Sequence, residues 1–363
     1  MLTPTRIVRA EIRAVSLTYK EPIEWTTGGI EAHADYLVVR IWDCDGRQGA
    51  AEAVCRPTWN SMSQGALLAL FADIGWPLLS STGLAPEDLG QIRNVGALTA
   101  LLDSLLADLY ADDQNVAPAA IAGPAVAVVT RGNPREMARA AEAAATRGFG
   151  AVKIKLGQGL ATDAAVLGAV RSAVGGDFAI CGDANGAYGI AECAALMRLA
   201  ERHGLTFVED PCRLTPLAAS LDRMARSTVP VVVDRFCDSL LAARQFVDLG
   251  QIDIAAKPGR CGSRGAGEML QAAVARGGHA VIGLFGETEI GALAQLRMAA
   301  GAEGTTIWGI EASFHDALTE HLLHFDLGLD GGSYAVPPTL HGASAIDWER
   351  VEALSSSALV LRK

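Results

Sequence analysis

Five charged side chains stand at nearly even intervals through the middle of this 363-residue chain: Lys155, Asp183, Glu209, Asp234 and Lys257, spaced 28, 26, 25 and 23 residues apart. Each closes a short apolar run, as in AVKIK, ICGD, TFVE, VVVD and IAAK. Three carboxylates drawn to one point repel unless a cation neutralises them. An all-oxygen donor set suits a hard ion, and three acids with open positions suit Mg²⁺. Two lysines flanking such an ion suit proton transfer at a carbon next to a carboxylate, because ion and ammonium together stabilise an enediolate. A lysine that acts as base needs a lowered pKa, which burial and nearby positive charge supply.

The elements around these residues repeat. From Ala125 onward, strand patterns at 125–129, 151–155, 178–183, 206–209, 229–234, 252–257, 279–283 and 305–308 alternate with Ala-rich amphipathic stretches at 134–147, 162–174, 189–203, 216–227, 239–249, 264–276 and 289–300. Pro134 and Pro216 fit first helical turns, and Gly148, Gly204, Gly250 and Gly277 fit helix ends. Strict alternation implies parallel strands. An open doubly wound sheet would show a Gly-rich turn after its first strand, and TRGNP at 130–134 is not one. The sequence therefore predicts an α/β fold, a (β/α)7β TIM-like barrel over residues 121–315, with all five charges at the C-terminal strand ends where barrel active sites lie.

Within that frame, Lys153 and Lys155 lie two apart and share the interior face of one strand. Pro258 holds Lys257 extended at the end of another. Lys155 and Lys257 fall on strands two and six, across the barrel from each other, with the acids on strands three to five between them. A substrate carboxylate at that centre would have one lysine on each face of its α-carbon.

Residues 1–120 read as an α+β capping domain: YLVVRIW at 36–42 and the segment 48–54 form a hairpin about Asp45-Gly46, and helical patterns run over 63–79 and 94–110. The Gly- and Thr-rich segment 20–34 reads as a mobile loop. Residues 316–363 read as a return of the chain onto cap and barrel. A formal net charge of −11 and the lack of a basic block argue against nucleic acid or an anionic membrane as partner. Seven scattered cysteines, with no C-x-x-C pair, predict reduced thiols with packing roles. With no apolar signal core and no apolar run of about 18 residues, the expected setting is cytoplasmic. The expected partner is a small-molecule carboxylate, and the expected assembly a homo-oligomer. His321 and His324, three apart on an expected helix, lack the acid or cysteine pattern of a zinc site.

K-x-K, D-x-N, E-D-P, an Asp closing V-V-V and K-P-G-R, in that order over nearly the whole chain, resemble the enolase superfamily, and within it the muconate-lactonizing-enzyme subgroup (muconate cycloisomerase-like). The resemblance implies Asp183, Glu209 and Asp234 as Mg²⁺ ligands, Lys155 and Lys257 as acid/base lysines, and Lys153 as electrostatic support for the enolate. It matches Asn185 to the Asn of D-x-N, and Glu287 of ETEIG to a position near the substrate. It also implies two cap loops over the substrate: 22–30 with Trp25, and 55–61 with Arg56, Thr58, Trp59 and Asn60. Phe285 would face them from the barrel. Each of these aromatic residues equally suits a packing role between cap and barrel. Two departures stand out. Arg235 replaces the Glu that usually follows the third metal Asp, and Gly262-Ser263 replaces a usual Gly-Gly. His279 begins strand seven and Leu284-Phe285-Gly286 ends it, which disfavours the mandelate-racemase branch. The expected reaction is Mg²⁺-dependent α-proton abstraction leading to racemisation, epimerisation or cycloisomerisation. The alternatives are a dehydratase or other lyase acting by β-elimination on a hydroxy acid or hydroxyproline-like substrate, and a non-catalytic barrel.

Overall fold

The computed structural model describes residues 6–24, 29–81, 89, 92, 95–111, 120–215, 227–249, 252–302 and 306–363. Short apolar runs with β-branched residues form its central strands: β4 (Val126–Val129), β5 (Ala151–Lys155), β6 (Ala179–Asp183), β7 (Val208–Glu209), β8 (Val231–Val233), β9 (Ile252–Ala256), β10 (Ala280–Ile282) and β11 (Ile307–Ile310). These eight lie side by side in sequence order, all parallel. A bridge between Ala125 and Ile310, with Ile310 N–H donating to the Pro124 carbonyl at 2.9 Å, brings the two edges together and closes the barrel.

Alternation along each strand separates two layers. Ile154, Ile180, Val208, Val231, Val233, Ile254, Ala256 and Ile282 face outward and are buried beneath the surrounding helices. Full burial of such a side chain contributes about 2 kcal/mol. Cys181, Phe207, Val232, Ala255 and Val281 face inward and fill the barrel, with Trp308 against them. Each of the first four stands two residues before Asp183, Glu209, Asp234 or Lys257, so those charges point into the barrel one layer higher. The helices follow their sequence signals. In the Pro134–Arg147 helix, Asn133 accepts from the N–H groups of Arg135 and Glu136 while Glu136 reaches back to the Asn133 N–H.

The N-terminal sheet runs in the order β14, β1, β2, β3, with β1 at Ile7–Glu24, β2 at Ile30–Asp43, β3 at Gln48–Cys55 and β14 at Ser355–Arg362. The tail thus returns to the cap as its edge strand, passing a small ribbon of β12 (Leu329–Asp330) and β13 (Ser333–Tyr334). One face of the sheet packs on the Gln64–Leu70, Trp76–Ser81 and Gly96–Leu109 helices through Leu37, Val39, Phe71, Leu101 and Leu105. The other packs on the barrel helix Glu289–Ala300 and the tail through Tyr36, Val38, Ile290, Leu293 and Leu318.

Three expectations change. The segment 20–34 is no loop along most of its length: β1 and β2 stay paired out to Ile23 with Glu31 and Glu24 with Ile30, because extended pairing satisfies the backbone that Gly and Thr content alone leaves undecided. Strand eight runs on to Ile310 rather than stopping at Trp308. His321 and His324 lie outside any helix. The helix expected at 216–227, the helix end at Gly250, and Trp25 fall outside the described residues. Among the described residues no helix is long and apolar enough to cross a membrane.

Candidate active site

Strand register gathers the charges. Lys155 pairs with Asp183 across β5 and β6, and Asp183 with Glu209 across β6 and β7, so three charged residues lie in one row on the interior face. Asp234 and Lys257 each follow the last residue of their strand, β8 and β9. All three acids are buried, at 0%, 1% and 6% exposure for Asp183, Glu209 and Asp234. Lys153 is buried one layer deeper, Lys257 is buried, and Lys155 is partly open. The end of β10 carries no charge for a steric reason: a Cβ on Gly283 would stand 2.7 Å from Lys257 Cε, so glycine there makes room for the lysine.

Each acid is met by a cation. Lys155 Nζ donates to Asp183 Oδ2 at 2.5 Å and approaches Asn185 Oδ1 at 3.4 Å. Lys257 Nζ donates to Asp234 Oδ2 at 2.6 Å, and Arg260 Nη1 donates to Asp234 Oδ1 at 2.8 Å. Lys153 Nζ lies 3.0 Å from Glu209, 2.5 Å from Glu311 and 3.7 Å from Asp183. Burial alone would raise Asp183, but Lys155 and Lys153 outweigh it and hold the carboxyl at about 2. Asp234 lies below the usual range in the same way, its burial outweighed by Lys257 and Arg260. Burial pushes Glu209 well above the usual range; Lys153 pulls it back, while Asp183 and Asp234 push it further. Burial would lower Lys153, yet Glu209, Glu311 and Asp183 together raise it well above an ordinary lysine, so it stays an ammonium.

Asn185 braces the row. Its N–H and side-chain amide donate to the two oxygens of Asp183 at 2.8 and 3.2 Å, and its backbone takes the left-handed region at φ 49°. Its carbonyl accepts from Arg235 Nη1 at 3.1 Å. Arg235, directly after Asp234, is exposed at the barrel mouth.

Three functional neighbours had no assigned role in the sequence reading. Asp210, buried, accepts from the N–H groups of Asp234 and Arg235 at 3.1 and 2.9 Å and so fixes the end of β8; burial, with the charge of Asp234, pushes it up to about 7. Arg260, of the K-P-G-R segment, anchors Asp234 and donates to the Cys237 carbonyl at 2.7 Å. Glu311 follows β11 with no exposure and meets Lys153. Its signal was present: IWGIE is an apolar run closed by an acid, like the other strand ends.

The cap supplies the opposite side of the mouth. The segment 55–61 holds a short helix, Pro57–Asn60, that carries Trp59 to a ring-centroid distance of 5.9 Å from Phe285, with the Arg56 guanidinium 5.5 Å from the Trp59 ring. Arg56 is buried and pairs with Glu31 and the Tyr19 hydroxyl, tying the β1–β2 arm to this segment. Asn60 bridges the Arg56 N–H and the Val54 carbonyl within the cap. Thr58 is exposed on the same helix. Glu287 is buried beneath Phe285, whose N–H donates to Oε2 at 2.5 Å; Oε1 has no hydrogen-bond partner, and burial pushes the carboxyl up to about 7. The structure thus brings Trp59 and Phe285 together on one side, and Asn185 and Arg235 on the other.

The donor set fits a divalent cation. Three buried carboxylates from adjacent strand ends offer only hard oxygens, and Glu209 Oε1 is buried with no hydrogen-bond partner. Among the described residues these acids are not drawn to one point at ligand spacing, each being turned toward a lysine or arginine. The histidines and cysteines contribute nothing to the cluster: none of the seven cysteines is in a disulfide, and His321 pairs with Glu289.

The model of a family described as Enolase C-terminal domain-like matches residues 136–345. The chain is similar to the hydrophobic dipeptide epimerase of Enterococcus faecalis, with 25% identity over 326 residues covering 85% of this chain and 91% of that protein. Its fold matches the dipeptide epimerase from Cytophaga hutchinsonii complexed with Mg and the dipeptide D-Ala-L-Val, at TM-score 0.81 and 18% identity over 98% of this chain and all (100%) of that one. The muconate lactonizing enzyme from Pseudomonas fluorescens complexed with muconolactone gives TM-score 0.81 and 18% identity over 97% of this chain and 100% of its own.

Proposed function

Because the chain belongs to the enolase superfamily, we propose that it is an isomerase that removes the proton α to a carboxylate and returns one, racemising, epimerising or cycloisomerising a small carboxylate. The observation that carries this reading is the placement of two lysines on either side of one acid cluster. Lys155 on β5 holds Asp183, and Lys257 after β9 holds Asp234. Four strand positions separate β5 from β9 in a closed eight-stranded sheet, which sets them across the barrel from each other.

Asp183, Glu209 and Asp234 would hold a divalent cation, with Mg²⁺ suited to their oxygens, and that ion would supply Lewis-acid stabilisation of the substrate carboxylate. The chain's own residues do the rest. The neutral amine of one lysine takes the α-proton from its face of the substrate, and the ammonium of the other gives a proton to the opposite face. Net proton count is unchanged and the α-centre is inverted. Lys153, kept charged between Glu209 and Glu311, offers a fixed positive group to the developing enediolate without acting as a base. Asn185 keeps Asp183 aimed, and Trp59 with Phe285 excludes water from one side of the mouth.

The test is α-proton exchange followed by NMR in D₂O with Mg²⁺, over amino-acid derivatives, dipeptides and hydroxy acids. Deuterium at the α-carbon with inversion is the expected result. Loss of water instead would make the protein a lyase, and absence of both exchange and Mg²⁺ binding would overturn the enzymatic reading.

A further inference from the structure

One departure in the sequence, Gly262-Ser263 in place of Gly-Gly, marks a point where the cap grips the barrel. The turn Pro258–Cys261 follows Lys257 directly and leads into the helix Ser263–Val274. Gly262 is the N-cap of that helix and has no side chain to offer its first N–H groups. The cap supplies the missing group. Asp103, buried on the helix Gly96–Leu109, accepts from the N–H groups of Arg264 at 2.7 Å and Gly265 at 3.4 Å, and from Arg264 Nε at 3.2 Å. Next to it, Ser104 Oγ accepts from the Ser263 N–H at 3.2 Å and meets the Ser263 hydroxyl, also at 3.2 Å. Glycine is required at 262 twice over: its φ is 85°, and a Cβ there would stand 2.3 Å from Asp103 Oδ2.

Little slack separates this grip from the candidate site. The Arg260 and Cys261 N–H groups donate to the Lys257 carbonyl at 3.0 and 3.1 Å, and the Gly262 N–H donates to the Pro258 carbonyl at 2.8 Å. One hydrogen-bonded turn thus joins Lys257 to the residue against which Asp103 packs. Arg260, inside that turn, holds Asp234 Oδ1 at 2.8 Å and the Cys237 carbonyl at 2.7 Å. Lys155 is held differently. The loop after it is fixed by barrel residues: Arg131 donates to the Leu156 carbonyl at 2.9 Å, and Asp163 accepts from the Gly157 and Gln158 N–H groups at 2.8 and 3.2 Å.

We propose that Asp103 and Ser104 are positioning residues for Lys257: by capping the helix Ser263–Val274, the cap domain sets where the Lys257 side of the site stands, while the Lys155 side is set within the barrel. This rests on the proton-abstraction reading and gives the cap a part in the chemical step at one face of the α-carbon. An ångström of drift in a reacting group costs up to about 100-fold in rate, so loss of the grip falls unequally on the two faces.

The readout is the ratio of α-proton exchange rates in D₂O with Mg²⁺ from the two members of an epimer pair, since each member presents its proton to one lysine. The pairs are L-Ala-L-Val with L-Ala-D-Val, N-acetyl-L-leucine with N-acetyl-D-leucine, and L-mandelate with D-mandelate; Lys257→Ala identifies which member that lysine serves. Asp103→Ala is expected to slow exchange from that member at least about tenfold relative to the other. Ser104→Ala, a milder change, is expected to shift the same ratio about threefold, as loss of one hydrogen bond gives, and it carries the test if Asp103→Ala does not fold. Asp103→Asn keeps an oxygen for the backbone N–H groups and is expected to bring the ratio back to within about threefold of wild type. A role in stability alone lowers both members alike. Exchange with a ratio unmoved in Asp103→Ala and Ser104→Ala, or in Ser104→Ala where the other does not fold, overturns the positioning role and leaves the proton-abstraction reading standing. No exchange by the wild type with any pair overturns both.

Discussion

The ammonium of Lys153 stands 2.5 Å from Glu311 Oε1 and 3.0 Å from Glu209 Oε2, in the interior of the barrel where neither residue reaches water. A lysine held this way, its pKa raised well above the ordinary value by Glu209, Glu311 and Asp183 against its burial, keeps its charge. Glu311 acts on the candidate site through Lys153 and is a positioning residue. Glu311→Gln keeps its volume and removes its charge. Exchange kcat is expected to fall about 10- to 100-fold, less than the roughly 100- to 1,000-fold cost of removing an oxyanion donor outright because Lys153 itself remains, with KM changed less than about threefold. Steady-state kinetics beside thermal melts check it: a drop in Tm with unchanged kcat would assign Glu311 to stability alone.

Lys155 and Lys257 contact different carboxylates on opposite sides of the cluster. Lys155→Ala and Lys257→Ala are therefore expected to abolish solvent exchange from opposite faces of the α-carbon, each retaining exchange of one enantiomer's proton. Chiral analysis of deuterium incorporation reads this directly. Loss of the same face in both variants would refute the two-lysine assignment.

Among the described residues, the three buried acids are met by lysine and arginine side chains and offer oxygen donors alone. Asp183→Asn, Glu209→Gln and Asp234→Asn are each expected to weaken Mg²⁺ binding at least about tenfold, since each removes an anionic oxygen donor. Isothermal calorimetry measures this without substrate. Treatment with EDTA is expected to stop exchange, and added Mg²⁺ to restore it.

Gly283 lies where a Cβ would come 2.7 Å from Lys257 Cε. Gly283→Ala is expected to displace the lysine and slow exchange at its face by about 100-fold, the effect of an ångström-scale misplacement. The other face should lose far less, because Lys155 sits across the barrel. Equal loss at both faces would point to a general packing defect.

Glu52, on β3, accepts from the Thr288 N–H and hydroxyl at 2.8 and 2.6 Å and from the Gly291 N–H at 3.0 Å, joining cap to barrel at a helix start. Burial pushes this carboxyl from 4.5 up to about 8. A group whose folded pKa is raised lends its stability fully below the unfolded pKa and loses it as pH rises through the folded one. Unfolding free energy is thus expected to fall between about pH 4.5 and pH 8, by on the order of 5 kcal/mol at about 1.4 kcal/mol per unit. Denaturant titrations of wild type and Glu52→Gln at pH 5 and pH 9 isolate this group, and the variant should show a flatter dependence. Identical pH slopes would refute it.

Much of the site was legible because its signals are local. A strand two to five residues long that ends in a charge reads as such from its own apolar run, and Pro258 sets the backbone of Lys257 by itself. The same logic explains the loss of Glu311: ending strand eight at Trp308 left IWGIE divided, and the charge that closes it went unread. The arm at 20–34 was misread for the converse reason. Its composition suits a loop, and only pairing with its neighbour strand makes it extended.

The sequence by itself determined the alternation of strands and helices, the closed barrel it implies, and the five charges delivered to one end of it, because side-chain period and turn chemistry are properties of short segments. Which cation meets which carboxylate was decided by the tertiary structure alone. Lys153 and Glu311 are 158 residues apart, and Glu52 and Thr288 are 236 apart. Arg235 sits beside an acid in sequence, yet its Nη1 donates to the Asn185 carbonyl, 50 residues away and on the same side of the mouth. Such pairings depend on barrel closure and cap docking, where burial makes every unpaired charge costly and the available partners are those the fold brings within reach.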